Sequence, residues 1–284
     1  MRTPDPSSSR PRGTRVAATA DLGLLYAGTT DVGIRRSKNQ DTYLLAPQDD
    51  LFVVADGMGG HAAGEVAARL AVDTIERFFR ETSLLAPGEI PMPYPMARDM
   101  PEADRRLATA LKLANSAVFQ QSNADDSKHG MGTTVVALHF DDGLVHWAHV
   151  GDSRLYRLRG DRLMQLTADH SLLNETITQR QLTGQELRDF VEHFPYKNVL
   201  VRAVGVRYNV EVDVGHSNVE DRDVFLLCSD GATNVLPDVD LRRILSESRN
   251  DPQSGCDTIV RMANERGGPD NITAVIVEAR RSPR

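Results

Sequence analysis

Thr133-Thr134-Val135-Val136-Ala137-Leu138-His139-Phe140, then Asp141-Asp142-Gly143, then Leu144-Val145-His146-Trp147-Ala148-His149-Val150, is the stretch that decides the architecture of this chain. Two runs rich in β-branched and apolar residues flank a short Asp-Asp-Gly connector, which is the pattern of a β-hairpin. A hairpin joins antiparallel neighbours, whereas parallel strands need a long crossover. A second hairpin follows at once, with residues 155–158 and 163–166 flanking Gly160-Asp161.

Outward from this block, short apolar runs bounded by turn residues predict strands over 24–29, 42–45 and 51–55 before it, and over 199–204, 210–214, 224–228 and 272–277 after it. Residues 65–80 predict a helix, because Val66, Leu70, Ile75 and Phe78, with Ala67 and Ala71, form one apolar stripe. A second helix runs to about residue 121, with Leu107, Leu111, Ala114 and Val118 on one face. Two more are predicted near 239–248 and 256–265. The proline-punctuated segment 83–101 reads as a loop. Segment 171–194 is polar and mostly helical, and reads as lying outside the sheets. Helices that come in pairs, without alternating with strands, favour an α+β layering over a doubly wound parallel sheet.

Composition narrows the functional classes. The chain has 284 residues, 40% of them apolar, and a net charge of −7. That charge disfavours non-specific adhesion to nucleic acid. The two cysteines, Cys228 and Cys256, suggest neither a disulfide framework nor a zinc cluster, and fit a reducing cytoplasm. No apolar run approaches the length of a membrane span. The Ser-, Pro- and Arg-rich start reads as a disordered tail over 1–22. One folded domain then spans 23–280, with a short tail over 281–284.

Four aspartates share one kind of context. Leu51-Phe52-Val53-Val54-Ala55-Asp56-Gly57 and Val224-Phe225-Leu226-Leu227-Cys228-Ser229-Asp230-Gly231 are apolar strands ending in Asp-Gly. Asp152 follows a strand and Gly151, and Asp270 stands just before the last strand. Carboxylates converging in one cleft repel each other unless a cation neutralises them, and hard cations prefer such oxygen ligands. Asp-Gly is also a common turn pair, and the contexts alone leave both readings open. The polar loop 31–41 carries Arg35, Arg36 and Lys38. It suits phosphate, since arginine can grip two oxygens at once, and it equally suits a solvated surface. A cysteine phosphatase fits poorly, because Asn234 stands where the arginine six positions after Cys228 would be. His139, His146 and His149 do not make a joint zinc site, since 146 and 149 point to opposite faces of their strand.

Taken together, the blocks Asp31 to Asp41, Val54-Ala55-Asp56-Gly57-Met58-Gly59-Gly60-His61, Gly132-Thr133-Thr134, Val150-Gly151-Asp152-Ser153-Arg154, Leu166-Thr167-Ala168-Asp169-His170-Ser171, Ser229-Asp230-Gly231 and Gly268-Pro269-Asp270-Asn271 resemble, in this order, the bacterial metal-dependent (type 2C, PPM) serine/threonine protein phosphatases. The resemblance runs from about residue 24 to 279. It implies a four-layer α-β-β-α sandwich, with two antiparallel sheets packed face to face and helices outside both. It implies Mn²⁺ or Mg²⁺ as cofactor, two ions bound tightly and a third weakly. By position Asp56 would bridge two metals, Gly57 would offer its carbonyl, and Asp230 and Asp270 would complete the first site. Asp152 with Asp230 would hold the third ion, Asp41 would act through a metal-bound water, and Arg36 would bind the substrate phosphate. The implied reaction is attack of a metal-activated water on phosphoserine or phosphothreonine, without a covalent intermediate. The implied partners are phosphoproteins, the products of a serine/threonine kinase, met by a monomeric enzyme in the cytoplasm, with neither nucleic acid nor membrane involved.

Two departures stand out. Gln40 replaces a glutamate common in relatives. Met58 stands where eukaryotic relatives carry a histidine, which leaves His61 as the candidate general acid. Segment 171–197 falls where the family has a flap beside its cleft, and is expected to tune the choice of protein substrate. A metal-dependent diesterase using the same cluster is the rival reading, disfavoured by the lack of a basic or aromatic stripe.

Overall fold

The computed structural model describes residues 12–16, 22–59, 63–86, 88–97 and 99–281. Its first half runs β1 (Arg12–Val16), β2 (Leu22–Asp31), β3 (Asp41–Ala46), β4 (Leu51–Met58), α1 (Ala63–Glu81), α2 (Glu102–Ala124), β5 (Gly132–Thr133), β6 (Val135–Asp141) and β7 (Leu144–Val150). The second half runs β8 (Arg154–Arg159), β9 (Arg162–Gln165), α3 (Leu172–Arg180), α4 (Gly184–His193), β10 (Asp213–Asn218), β11 (Val224–Cys228), α5 (Asp230–Thr233), α6 (Asp238–Glu247), α7 (Pro252–Glu265) and β12 (Ile272–Arg281). The predicted 144–150 and 224–228 strands appear with those bounds.

One sheet has the order β1-β2-β12-β11-β8-β9 and the other β10-β7-β6-β4-β3, with β5 added beside β4. Their pairings are antiparallel. The sheets pack face to face because alternate residues of both are large and apolar. Phe52, Val54, Leu138 and Phe140 of one meet Leu24, Phe225, Leu227 and Val275 of the other. Aromatic contacts cross this layer, Tyr26 to Phe52 at 5.5 Å and Phe140 to Phe225 at 5.5 Å between ring centroids. The opposite face of the second sheet is covered by α1 and α2 through Ala67, Ala71, Ile75, Leu107, Leu111 and Ala114. The opposite face of the first is covered by α6 and α7 through Leu241, Leu245, Ile259 and Ala263. The expected four layers are thus present.

Three local expectations differ. Residues 199–204 do not form a strand; they touch the sheets only through isolated bridges, Ser171 to Leu200 and Thr133 to Val204. The strand expected over 210–214 lies instead at β10, whose residues are polar because it is a half-exposed edge, while Val210 and Val212 pack onto the helical layer. Residues 12–16, expected within the disordered tail, add an antiparallel strand to β2, using backbone groups that any sequence carries. No helix among the described residues is long and apolar enough to cross a membrane.

Candidate metal centre and active site

Antiparallel order brings the strand ends with aspartates to one end of the sandwich. Asp41 opens β3 directly opposite Asp56, near the end of β4. Asp152 follows β7, Asp230 follows β11, and Asp270 precedes β12, whose start lies beside the end of β11. Arg36, Asp56, Gly57, Asp152, Asp230 and Asp270 border one open cavity of about 330 Å³. Asn198 and Leu200, just beyond the predicted flap, also border it. The sequence had given no signal for either.

Opposite Asp56 on the neighbouring strand, Asp41 is buried and does not border this cavity. Its Oδ2 accepts hydrogen bonds from Ser229 Oγ at 2.7 Å and Thr273 Oγ1 at 2.6 Å, while its buried Oδ1 has no hydrogen-bond partner. Asp230 likewise receives Asn234 Nδ2 on one oxygen at 3.0 Å and leaves buried Oδ1 unpartnered. Burial, opposed by those two hydroxyls, pushes Asp41 up to about 6. Burial and then the charge of Asp230 push Asp152 up to about 7. Burial, then Asp41 and Asp230, hold Asp56 well above the usual carboxylate range, and burial with Asp270 raises Asp230. Crowded carboxylates with orphaned oxygens are costly unless a cation meets them. An all-oxygen donor set of this kind suits Mg²⁺ or Mn²⁺. The residues present therefore fit the divalent cations that the sequence implied.

Second contacts fix the cluster. Thr134 donates its backbone N–H to the Asp56 carbonyl at 2.8 Å, accepts the Asp56 N–H on Oγ1 at 3.2 Å, and shares a hydroxyl hydrogen bond with Ser153 at 2.7 Å. It thereby ties the Asp56 strand to the Asp152 loop. At Gly57 a Cβ would lie 2.0 Å from the Gly64 carbonyl oxygen, so only glycine fits. Asn271 binds the carbonyls of Val32 and Lys38 at 2.9 Å each and accepts the Gln40 N–H at 2.8 Å, clamping the arginine loop to the Asp270 turn. Gln40 itself borders the cavity. Arg36 lies at the rim with Nη2 2.6 Å from Asp270 Oδ2, whereas Arg35 is exposed and does not border the cavity. His61 lies outside the described residues.

His146 and His149 lie apart, as the strand period required, while His139 stays beside His146 at 6.5 Å between ring centroids. His149 stacks on His170 at 4.5 Å, whereas His146 donates its Nδ1–H to Asp104 Oδ1 at 2.6 Å on the face under α2. His216, directly opposite His146 on β10, meets the same carboxylate at 2.7 Å.

The family model for protein phosphatase 2C matches residues 34–265. The chain belongs to the protein phosphatase 2C family. It is similar to the serine/threonine phosphatase stp of Listeria innocua serovar 6a, 36% identical over 252 residues that make up 88% of this chain and 93% of that one. It is also similar to the serine/threonine phosphatase PstP/Ppp of Mycobacterium tuberculosis, with a TM-score of 0.76 and 29% identity over 90% of this chain and 98% of that one. A structure of the PstP catalytic domain in complex with two manganese ions matches with a TM-score of 0.74 and 28% identity, covering 91% of this chain and 99% of that one. This protein phosphatase 2C member is a metal-dependent serine/threonine protein phosphatase built on the sandwich that its hairpins dictated.

Proposed function

We propose that the chain removes phosphate from phosphoserine and phosphothreonine in proteins modified by a serine/threonine kinase, by direct attack of water. The observation that carries this reading is the convergence of Asp41, Asp56, Asp152, Asp230 and Asp270 at one end of the sandwich, with the Asp41 and Asp230 Oδ1 atoms buried and unpartnered. Asp56, the Gly57 carbonyl, Asp230 and Asp270 hold two divalent cations, and Asp152 with Asp230 holds a third more weakly. Bound there, the cations supply the positive charge that makes water acidic enough to attack at neutral pH and that stabilises the phosphoryl oxygens.

The remaining tasks belong to side chains. Asp41, held by two hydroxyls on Oδ2, keeps Oδ1 free to order the attacking water. Arg36 exchanges the Asp270 carboxylate for the substrate phosphate, gripping two oxygens with one planar fork. His61 gives a proton to the departing serine or threonine oxygen. Because water attacks directly, no residue is phosphorylated. Segment 171–197, which carries α3 and α4, selects among phosphoproteins. The enzyme works as a monomer in a reducing cytoplasm, consistent with two buried cysteines that form no disulfide.

Comparing a phosphothreonine peptide with a phosphodiester tests the reaction class. Cation-dependent release of phosphate from the peptide, with the diester intact, is expected. Preferential cleavage of the diester would favour the nuclease-like alternative.

A further inference from the structure

Beside the metal cavity lies a larger groove of about 750 Å³, and the two share Met58 and Leu200 at their common lip. Beyond the lip, the groove is bordered by Val206, Val210, Lys112 and Arg207. Its wall is pinned from several sides. Val204 exchanges two backbone hydrogen bonds with Thr133, at 3.0 and 2.9 Å. The buried Asn115 accepts the Gly205 N–H at 2.7 Å and donates to the carbonyls of Arg207 at 3.1 Å and Tyr208 at 3.0 Å. Gly205 has φ +88°, and a Cβ there would strike Val118, so the turn is set by sequence.

On this fixed backbone Val206 is 49% exposed and Tyr208 75%. Four of the eight large apolar side chains exposed among the described residues (Tyr196, Val199, Val206 and Tyr208) fall within residues 196–208. Apolar groups held out to water by a rigid loop mark a contact surface, because little ordering entropy is lost when they are covered. Charge indicates what covers them. Arg202 is engaged by Asp213 at 2.7 Å and Glu211 at 3.7 Å. Arg207 has no carboxylate within ion-pair distance among the described residues, and Lys112 lies over the Tyr94 ring at 5.6 Å. Lys112, Arg202 and Arg207 against Glu175 and Glu211 give the lining a charge of 3 − 2 = +1, in a chain of net −7.

We infer that this groove receives the segment of the phosphoprotein next to the phosphorylated residue, and selects substrates carrying an apolar side chain and an acidic one there. The inference rests on reading the adjoining cavity as the phosphate pocket. The apolar side chain covers Val206 and Met58, and the acidic one pairs with Arg207 and Lys112. Because cavity and groove adjoin at Met58 and Leu200, a peptide whose phosphate lies in the cavity can lay its flank in the groove without any movement of the fold.

Two phosphothreonine peptides test this, one with an Ile and Glu flank and one with Ala and Lys at the same places, each made with the flank on either side. p-Nitrophenyl phosphate, which has no flank, serves as the third substrate. The intact protein should prefer the Ile/Glu peptide by roughly tenfold in kcat/KM. Arg207→Glu should erase that preference and Val206→Asp should weaken it, while turnover of the aryl phosphate stays within about twofold of wild type. Absence of a flank preference, or a preference that survives Arg207→Glu, overturns the inference. Equal loss on all three substrates overturns it too, by assigning the loop to support of the metal cavity. Failure of the intact protein to hydrolyse even the aryl phosphate with cation present would instead sink the reading of the phosphate pocket.

Discussion

Asp41 and Asp56 are Cα partners on one rung of the β3–β4 ladder; Asp56 borders the cavity, and Asp41, buried beside it, adds to the burial that raises its pKa. Like charges directly opposite each other on a sheet are destabilising. The hydrogen bonds to Asp41 come from the Ser229 and Thr273 hydroxyls, which orient the carboxylate without neutralising it. A divalent cation would neutralise this arrangement.

Asp230 is the carboxylate common to the proposed tight and weak sites. Asp230→Ala should therefore cost several kcal/mol of transition-state stabilisation, roughly a thousandfold in kcat on a phosphopeptide. A loss of tenfold or less, measured beside an unchanged circular dichroism spectrum, would remove Asp230 from the principal ligands.

Arg36 borders the cavity and Arg35 does not. Arg36→Ala should raise KM for a phosphopeptide by about tenfold or more, and Arg35→Ala should change it by less than about twofold. Steady-state kinetics on both variants decide between them. The reverse order would place the phosphate contact one residue earlier in the loop.

Asp152 stands on the loop after β7, tied through Ser153 and Thr134 to the Asp56 strand. Asp152→Ala should leave two cations bound and the fold intact, while kcat falls roughly a hundredfold. Calorimetric stoichiometry beside turnover is the measurement. Loss of the tight cations would put Asp152 in the main pair, and normal turnover would make the third site irrelevant to catalysis.

The site's main carboxylates were legible because each ends or precedes a strand beside a glycine or a small turn, as at Asp56-Gly57 and Asp230-Gly231. Their supports were not. Thr273 and Asn198 carry no local pattern, Ser229 reads only as part of the Ser229-Asp230-Gly231 block and residue 200 only as part of a strand, and Ser229 and Thr273 reach Asp41 across 188 and 232 residues of sequence. The fold divides similarly. β11 is apolar throughout because both faces of its sheet are covered, so its bounds could be read directly. β10, with Gly215, His216, Ser217 and Asn218 on an edge, reads as a loop. Residues 199–204 are apolar enough to suggest a strand, yet they border the cavity and groove and join the sheets only through single bridges.

His139 gives a pH prediction away from the site. It packs edge-on against Phe79 at 5.1 Å under α1, and burial, with the charge of Arg106, pushes its pKa down to about 3. The unfolded chain takes up this proton near about pH 6.5, while the folded chain resists it until about 3, so the stabilisation is complete above the higher value and lost as pH falls. Between about pH 7.5 and 5 the melting temperature of the wild type should therefore fall relative to that of His139→Gln. Equal slopes for the two proteins would show that His139 does not titrate this way.

The most direct test of the central claim is phosphate release from a phosphothreonine peptide by protein stripped of metal and then titrated with Mn²⁺ or Mg²⁺. The account predicts no measurable turnover in excess chelator and recovery as either cation is restored. Full activity in excess chelator after stripping would contradict it.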